Sequence, residues 1–320
     1  MSLPRILAIV GPTAGGKTAL SLALAKALDG EVICCDSMQI YRGMDIGTAK
    51  PTPEEMAEIP HHLLDVADPA DAFSVNDYVT RAKEAVQDIL DRGKLPVFCG
   101  GTGLYLDAFL RGGLPETPPA DPVLRARLDA EADALGEDAL HARLAAVDPE
   151  SAETVHKNNR RRVIRALEIF ELTGIPKSEW DRRSNEAPLC YNAAVIGLRF
   201  ADRALLWSRI AQRVDLMLEQ GLLQETKRLL EGGVFENSPT AAAAIGYKEL
   251  LPYLRGECDL AAATEELKTA TRRYAKRQMT WFCAKPYVHW IDACDENGVR
   301  KSEEIVNNAL ELSENIWNML

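Results

Sequence analysis

The 320-residue chain contains no apolar run approaching the roughly twenty residues that a membrane span needs. Its first residues lack a basic segment followed by a long apolar stretch, so no secretory signal is expected. It has no CxxC pair: seven cysteines stand at 34, 35, 99, 190, 258, 283 and 294. An odd number of scattered thiols argues against a disulfide framework or a zinc site and for a reduced, cytoplasmic setting. There is no internal repeat and no low-complexity segment. Basic residues are in the minority, 37 Lys and Arg against 48 Asp and Glu, and the net charge is −11. Taken as a whole, that balance argues weakly against nucleic acid as a partner. What remains is an ordinary globular composition, 47% apolar and 27% charged, in a chain long enough for one domain with an insertion.

The charge is unevenly placed. Residues 157–165, "KNNRRRVIR", hold five Lys or Arg and no acid. Residues 267–285, "LKTATRRYAKRQMTWFCAK", hold six and no acid, so the rest of the chain carries −22. An acidic body with two concentrated basic stretches points to a local anionic partner surface, the plainer alternative being solvated helix faces. In the second stretch, Arg272/Lys276 and Arg273/Arg277 are pairs four residues apart on neighbouring columns of one helix face. Trp281 and Phe282 follow at a spacing more typical of core than of stacking platforms.

The first hundred residues alternate strand and helix. "RILAIV" reads as a buried strand and Lys17 to Leu28 as a helix ended by Gly30. Glu31 to Asp36 is a second strand, and "KLPVFCGGTG" is a third, running into glycines. Between them Ser74 with Asp77 forms a capping-box pattern before Val75, Val79, Ala82, Val86, Ile89 and Leu90 at helical spacing, closed by Gly93. This alternation predicts a parallel sheet with right-handed crossovers. Four prolines in "GGLPETPPADP", residues 112–122, mark a boundary, after which the chain reads as helices to about residue 190, with Asp121 and Pro122 starting the first. Strand character returns at 193–200. Helices are then expected from Asp202 to Gly221, from about Thr240 to Leu254, and from Leu260 to Lys285, with "VHWIDA" as a last strand. The expected organisation is an α/β core, residues 1–112 and 193–320, interrupted by a helical insertion, residues 113–192.

Gly11-x-x-x-x-Gly16-Lys17-Thr18 is a complete phosphate-loop pattern between a strand and a helix. Its glycines let backbone N–H groups of the loop, Gly11 and Thr13 through Gly16, point at phosphate oxygens, and the helix start adds its positive end. Lys17 supplies a charge and Thr18 a hydroxyl for Mg²⁺. Proteins that spend ATP usually place a metal-binding Asp after an apolar strand. Here that strand ends instead in glycines and Thr102. Asp36 does follow a strand, and a place beside the phosphate loop puts it where ligands of a parallel sheet bind.

Seven ordered motifs, "GPTAGGKT", "DSMQIYRGMDIGTAKP", "HHLLD", "GGTGLY", "RRVIRALEI", "AIGYKEL" and "RRYAKRQMTWF", resemble the bacterial tRNA dimethylallyltransferases from residue 6 to about residue 291. The resemblance implies a P-loop NTPase-like fold, a parallel sheet core flanked by helices with an inserted all-helical domain, that does not spend ATP. Its loop would hold the diphosphate of dimethylallyl diphosphate: Gly11, Thr13, Ala14, Gly15, Gly16, Lys17 and Thr18, with Mg²⁺ on Thr18. The acceptor would be N6 of the adenosine 3′ of the anticodon in tRNAs reading codons that begin with U. By the same resemblance Asp36 takes the amine proton, Thr102 assists by hydrogen bond, and an arginine of "SRIAQRV" meets the leaving group. Of Arg209 and Arg213, one turn apart, the choice here is Arg213.

The resemblance also implies contacts to the tRNA anticodon stem-loop. These would come from Asp36, Ser37, Met38 and Gln39; from Arg125; from Arg161, Arg162, Val163, Ile164 and Arg165; from Gly246, Tyr247 and Lys248; and from Arg273 and Arg277. Two positions depart from the family pattern: Lys157 stands where proline is common, and Ala243 where a glutamine or arginine is usual. His61 and His62 are set outside the catalytic group. A monomer with no membrane association is expected. The alternatives are an ATP-dependent small-molecule or nucleoside kinase with the insertion as lid and Arg160–Arg162 as lid arginines, and an RNA-binding module with a vestigial loop. The intact Gly11–Thr18 set speaks against the latter.

Overall fold

The computed structural model describes residues 3–113, 118–296 and 298–319. By internal contacts the chain divides into two compact units, one of Met1–Leu110 with Leu189–Leu320 and one of Arg111–Pro188. The middle of the proline-rich boundary, residues 114–117, lies outside the described residues.

The first unit is built on a six-stranded sheet, every pair of which is parallel. The strands are β1 Arg5–Val10, β2 Gly30–Cys34, β3 His61–His62, β4 Leu95–Cys99, β5 Asn192–Arg199 and β6 Val288–Asp292, in the order β3-β2-β4-β1-β5-β6. Their near-continuous apolar composition suits strands covered on both faces. The helices of this unit are α1 Lys17–Ala27, α2 Pro53–Glu58, α3 Val75–Asp91 and α4 Gly103–Leu110 before the insertion, which holds α5 to α9. After it come α10 Arg203–Glu219, α11 Leu222–Glu231, the single turns α12 Val234–Asn237, α13 Pro239–Ala242 and α14 Leu251–Leu254, then α15 Leu260–Cys283 and α16 Ser302–Met319. A two-residue antiparallel pair, Cys294–Asp295 with Gly298–Val299, precedes α16.

Strand alternation sorts the core. Leu7, Ile9, Val32, Val97 and Ile196 share one face with Leu24 of α1 and with Ile316 and Trp317 of α16. On the other face the Phe98 ring meets Phe109 of α4 at 4.6 Å. Emptying any of these fully buried positions to alanine costs about 2–5 kcal/mol.

The second unit is all helical: α5 Pro122–Leu135, α6 Glu137–Val147, α7 Pro149–Thr154, α8 Arg160–Thr173 and α9 Lys177–Glu186. Asp121 caps α5 by accepting from the N–H groups of Val123 and Leu124. Leu128, Leu140, Leu144, Val163, Ile164 and Leu167 form its core.

Three sequence expectations need correction. The strand expected over Glu31 to Asp36 is β2 Gly30–Cys34, so Asp36 lies just past the strand, and β4 stands between β2 and β1. Asp36 still reaches the same end of the sheet, since parallel strands bring all their carboxyl ends to one edge. The continuous helix expected from Thr240 to Leu254 is broken into α13 and α14. The break lies at Gly246, whose φ of +109° suits glycine and whose missing Cβ would stand 2.7 Å from the carbonyl oxygen of Gly47. The sequence reading also assigns no element to α2, β3, α11 or α16.

Candidate active site

Strand β1 runs into Gly11, and the chain turns through Ala14 at φ +60° and Gly16 at φ +94° before α1 begins at Lys17. The loop lines a cavity of about 970 Å³, at the upper end of the usual range for ligand sites. Lys17 Nζ donates to the Pro12 carbonyl at 2.9 Å across the loop. Burial pushes its ammonium down to about 8; Arg213 pushes the same way, while Cys99 and Asp36 oppose.

Asp36 leaves the end of β2 and faces the same cavity. Its Oδ1 accepts from the Met38 N–H at 2.9 Å, which makes a tight turn of "DSM". Burial raises its carboxyl above the ordinary range, against the lowering effects of the Met38 N–H, Lys17, the Gln39 N–H and Arg213. A buried carboxylate with raised pKa beside two cations is the pattern of a group tuned to exchange protons. Thr102, after β4, accepts from the Ser37 N–H at 2.9 Å and reaches the Ser37 hydroxyl at 3.3 Å. Tyr274 of α15 also meets this hydroxyl.

Both candidate arginines of α10 touch the phosphate loop. Arg209 Nε donates to the Ala14 carbonyl at 2.9 Å, and its guanidinium lies over Phe200. Arg213 Nη1 stands 3.4 Å from Thr13 Oγ1. Burial lowers Arg213, with the Asp36 charge opposing. Arg213 therefore shares its field with Asp36 and Lys17, whereas Arg209 is tied to the loop backbone. Ser37, Met38, Gln39, Thr18 and Gly246 also line the cavity. Gln39 is held by its side-chain amide, which donates to the Thr48 and Ala49 carbonyls at 3.0 Å each.

The remaining candidates separate on burial. Tyr247 is fully buried and gives its hydroxyl to Glu225 at 2.7 Å, so its side chain faces no solvent. Lys248 is exposed beside Glu249. On α15 Arg273 and Arg277 are exposed, with Arg273 near Glu266 and Arg277 over the Tyr274 ring. Phe282 is core, but Trp281 is 37% exposed. In the insertion, Val163 and Ile164 are buried, leaving Arg161 and Arg162 as the accessible side chains of that stretch. Arg125 and Arg165 both pair with the buried Glu168, Arg125 through a two-pronged contact at 2.9 and 3.0 Å. Lys157 pairs with Asp138. His62 meets the buried Glu31 at 2.7 Å, while His61 borders the cavity.

The sequence reading missed three residues. Tyr274 and Gln278 of α15 line the cavity one turn apart, with the exposed Arg277 bordering it beside them. The signal was present: both lie in a column that starts with Leu267 and Ala270, where a polar amide is out of pattern. The third, Glu225 on α11, has a carboxylate that accepts from the N–H groups of Asp45, Ile46 and Gly47 at 3.2, 3.0 and 3.0 Å. Nothing local announces it, because its partners are some 180 positions away.

Fold and cavity together define a phosphate-loop α/β protein whose loop opens on a cavity with a buried carboxylate, Asp36, on its wall. A family model described as IPP transferase matches residues 39–285. The tRNA dimethylallyltransferase of Bacillus subtilis is 50% identical over 287 residues, 90% of each chain. That of Geobacillus kaustophilus is 48% identical over 316 residues, 98% of this chain and 99% of the other. Among solved structures, the tRNA isopentenylpyrophosphate transferase of Bacillus halodurans aligns with a TM-score of 0.69 at 45% identity over 98% of both chains. A eukaryotic dimethylallyltransferase acting on tRNA aligns with a TM-score of 0.80 at 31% identity, over 98% of this chain and 80% of that one. The chain belongs to the IPP transferase family.

Proposed function

We propose that the protein transfers the dimethylallyl group of dimethylallyl diphosphate to N6 of the adenosine 3′ of the anticodon, in tRNAs that read U-initial codons, giving N6-isopentenyladenosine and pyrophosphate. The observation that carries this reading is the meeting of Lys17, Arg213 and Asp36 in one cavity at the phosphate loop. The C1–O bond of the donor breaks as the N6–C1 bond forms, and the N6 proton leaves to Asp36. Negative charge grows on the departing diphosphate, where Lys17, Arg213 and loop N–H groups stabilise it, the N–H groups of Thr13 and Gly15 being held instead by Gln278 and the Pro12 carbonyl. Asp36 orients an amine whose lone pair is conjugated with the ring, and its raised pKa suits it to accept the proton. Thr102, whose hydroxyl holds Ser37 beside Asp36, assists by hydrogen bond.

Reaching Asp36 requires the base to leave its stack in the anticodon loop. The exposed Arg161, Arg162, Lys248, Arg273 and Arg277 are the side chains we assign to the RNA backbone. Among the described residues no group of three His, Cys, Asp or Glu could hold a metal alone. The Thr18 hydroxyl on the cavity wall is a hard oxygen donor, which fits Mg²⁺ completed by diphosphate oxygens and water. When bound, such an ion neutralises diphosphate charge. On this reading the protein works as a monomer in the cytoplasm, with its tRNA substrate; no described helix is long and apolar enough to cross a membrane.

The test supplies purified protein with an anticodon stem-loop and dimethylallyl diphosphate, then measures pyrophosphate and prenylated adenosine. Formation of ADP from ATP as sole phosphoryl donor, with no prenyl transfer, overturns the reading in favour of the kinase. Against the kinase, the family match is to IPP transferases, and β4 is followed by Gly100, Gly101 and Thr102 in place of a metal-binding acid.

A further inference from the structure

The phosphate loop and the Asp36–Thr102 pair sit on different strands, β1 for the loop and β2 and β4 for the pair. A transfer needs them in fixed register, because C1 must lie in line between the departing oxygen and N6. A 1 Å misplacement of such groups costs on the order of 10²-fold in rate. Only one described side chain hydrogen-bonds both the phosphate loop and the turn after β4. Gln278 of α15 is 4% exposed and uses both ends of its amide. Its Oε1 accepts from the Thr13 N–H at 2.8 Å, and its Nε2 donates to the Gly101 carbonyl at 3.3 Å. Gly101 immediately precedes Thr102, whose hydroxyl holds Ser37 beside Asp36. The contact is close: a Cβ on Gly101 would stand 1.9 Å from Nε2. One turn earlier, Tyr274 faces Thr102 and the Asp36 charge from the same side of α15.

We propose that Gln278 is a positioning residue for transfer, bridging the donor loop to the acceptor wall so that diphosphate and carboxylate stand at reacting distance. Both ends of its amide are spent on protein partners. Its action is through Thr13 on one side and through Gly101 and Thr102 on the other. Both substrates bind without it; what it fixes is the distance between them. The inference rests on the transfer reading above.

Two variants test it. Gln278→Met keeps the volume and removes both hydrogen bonds. Single-turnover transfer at saturating tRNA and dimethylallyl diphosphate should fall about 10- to 100-fold, while pyrophosphate and tRNA dissociation constants stay within about threefold. Gln278→Glu gives a pH signature that loss of packing does not. As the neutral acid it can donate to the Gly101 carbonyl and accept from Thr13, as glutamine does; as the carboxylate it repels that carbonyl. Its rate relative to wild type should therefore rise as pH falls, while the relative rate of Gln278→Met stays flat. The ratio removes the titration of Asp36 and Lys17 that the two proteins share, and the neutral Gln278→Met ratio gives the baseline. Gln278→Met within threefold of wild type overturns the proposal. So does a pH-independent Gln278→Glu ratio, or a rise in the pyrophosphate dissociation constant matching the rate loss. If Gln278→Met fails to fold, the Gln278→Glu ratio decides alone. Wild type is assayed first: an inactive wild type fails the transfer reading itself, whereas an active one with unaffected variants fails only this proposal.

Discussion

Replacing Asp36 with asparagine should separate chemistry from binding. Asparagine keeps an oxygen to accept the Met38 N–H, which Oδ1 now does at 2.9 Å, so the turn at 36–38 persists. What disappears is the charge and the ability to take a proton. A general base contributes typically about 10²–10⁴-fold, or about 2.7–5.4 kcal/mol at 1.36 kcal/mol per decade. The transfer step should fall by that factor. Donor affinity should hold or rise slightly, because a carboxylate beside the diphosphate is gone. Stability gives an independent check of sign. Burial raises Asp36 in the fold above its unfolded value. Between those two values the folded state holds more protons, so stability falls as pH rises through that window. Above it, ionised Asp36 is a burden on the fold, and Asp36→Asn should be at least as stable as wild type at neutral pH. The assay is single-turnover prenyl transfer with saturating tRNA, beside a pyrophosphate titration and a denaturant melt. A transfer rate within a few-fold of wild type would falsify the base assignment. Lost diphosphate binding would place Asp36 on the metal, and a clear loss of stability would mean the carboxylate holds the fold together.

Lys17 is held at about 8 in the free site, and a bound diphosphate favours its charged form, so pyrophosphate affinity should decline above pH 8 by up to about tenfold per unit. Lys17→Arg, charged throughout, gives the reference slope; equal slopes in the two proteins refute the assignment. Lys17→Ala should abolish turnover while weakening tRNA binding only modestly, as measured by filter binding; equal losses would place the loop on the RNA. Of the five exposed side chains assigned to RNA, Arg161, Arg162 and Arg277 have no acidic partner among the described residues, while Arg273 is near Glu266 and Lys248 beside Glu249. Five phosphate contacts give a slope of about −3.5 to −4.5 for log K of tRNA against log salt, and a slope near zero would leave these as solvated faces. Tyr247→Phe removes a buried hydrogen bond to Glu225 and should cost about 1.5–3 kcal/mol in urea unfolding; an unchanged midpoint would mean the three backbone donors alone satisfy that carboxylate.

The core and the phosphate loop were legible because their signals are local. β1, α1, α3, β4 and β5 each carry their own apolar period or cap, as with Ser74 and Asp77, which accept from each other's backbone N–H. Strand order was not legible. No residue of β2 records that β4 will come between it and β1, since that choice is made by packing over some 65 positions. The α13–α14 break was hidden for a related reason: Thr240 to Leu254 has helical composition, and only the close approach of Gly47 forces the turn at Gly246.

The same division runs through the site. The residues we assign to the chemistry, Lys17, Asp36, Thr102 and Arg213, stand in recognisable motifs because that chemistry restricts residue type. The groups that hold them at distance carry no such mark. Gln278 reaches a partner 265 positions away and Glu225 reaches one 180 away. Each is a common polar residue on an amphipathic helix, and only the fold reveals its partner. A motif can therefore name the reacting groups without fixing the spacing that lets them react. In this protein that spacing is set from α11 and α15. Glu225 gathers the 45–47 turn and Tyr247, while Gln278 joins the phosphate loop to the turn that presents Thr102. Because the exposed arginines of α15 lie on the same helix as Gln278, the element assigned to RNA also carries the bridge between donor and acceptor. A displacement of α15 by RNA would act on both loops at once.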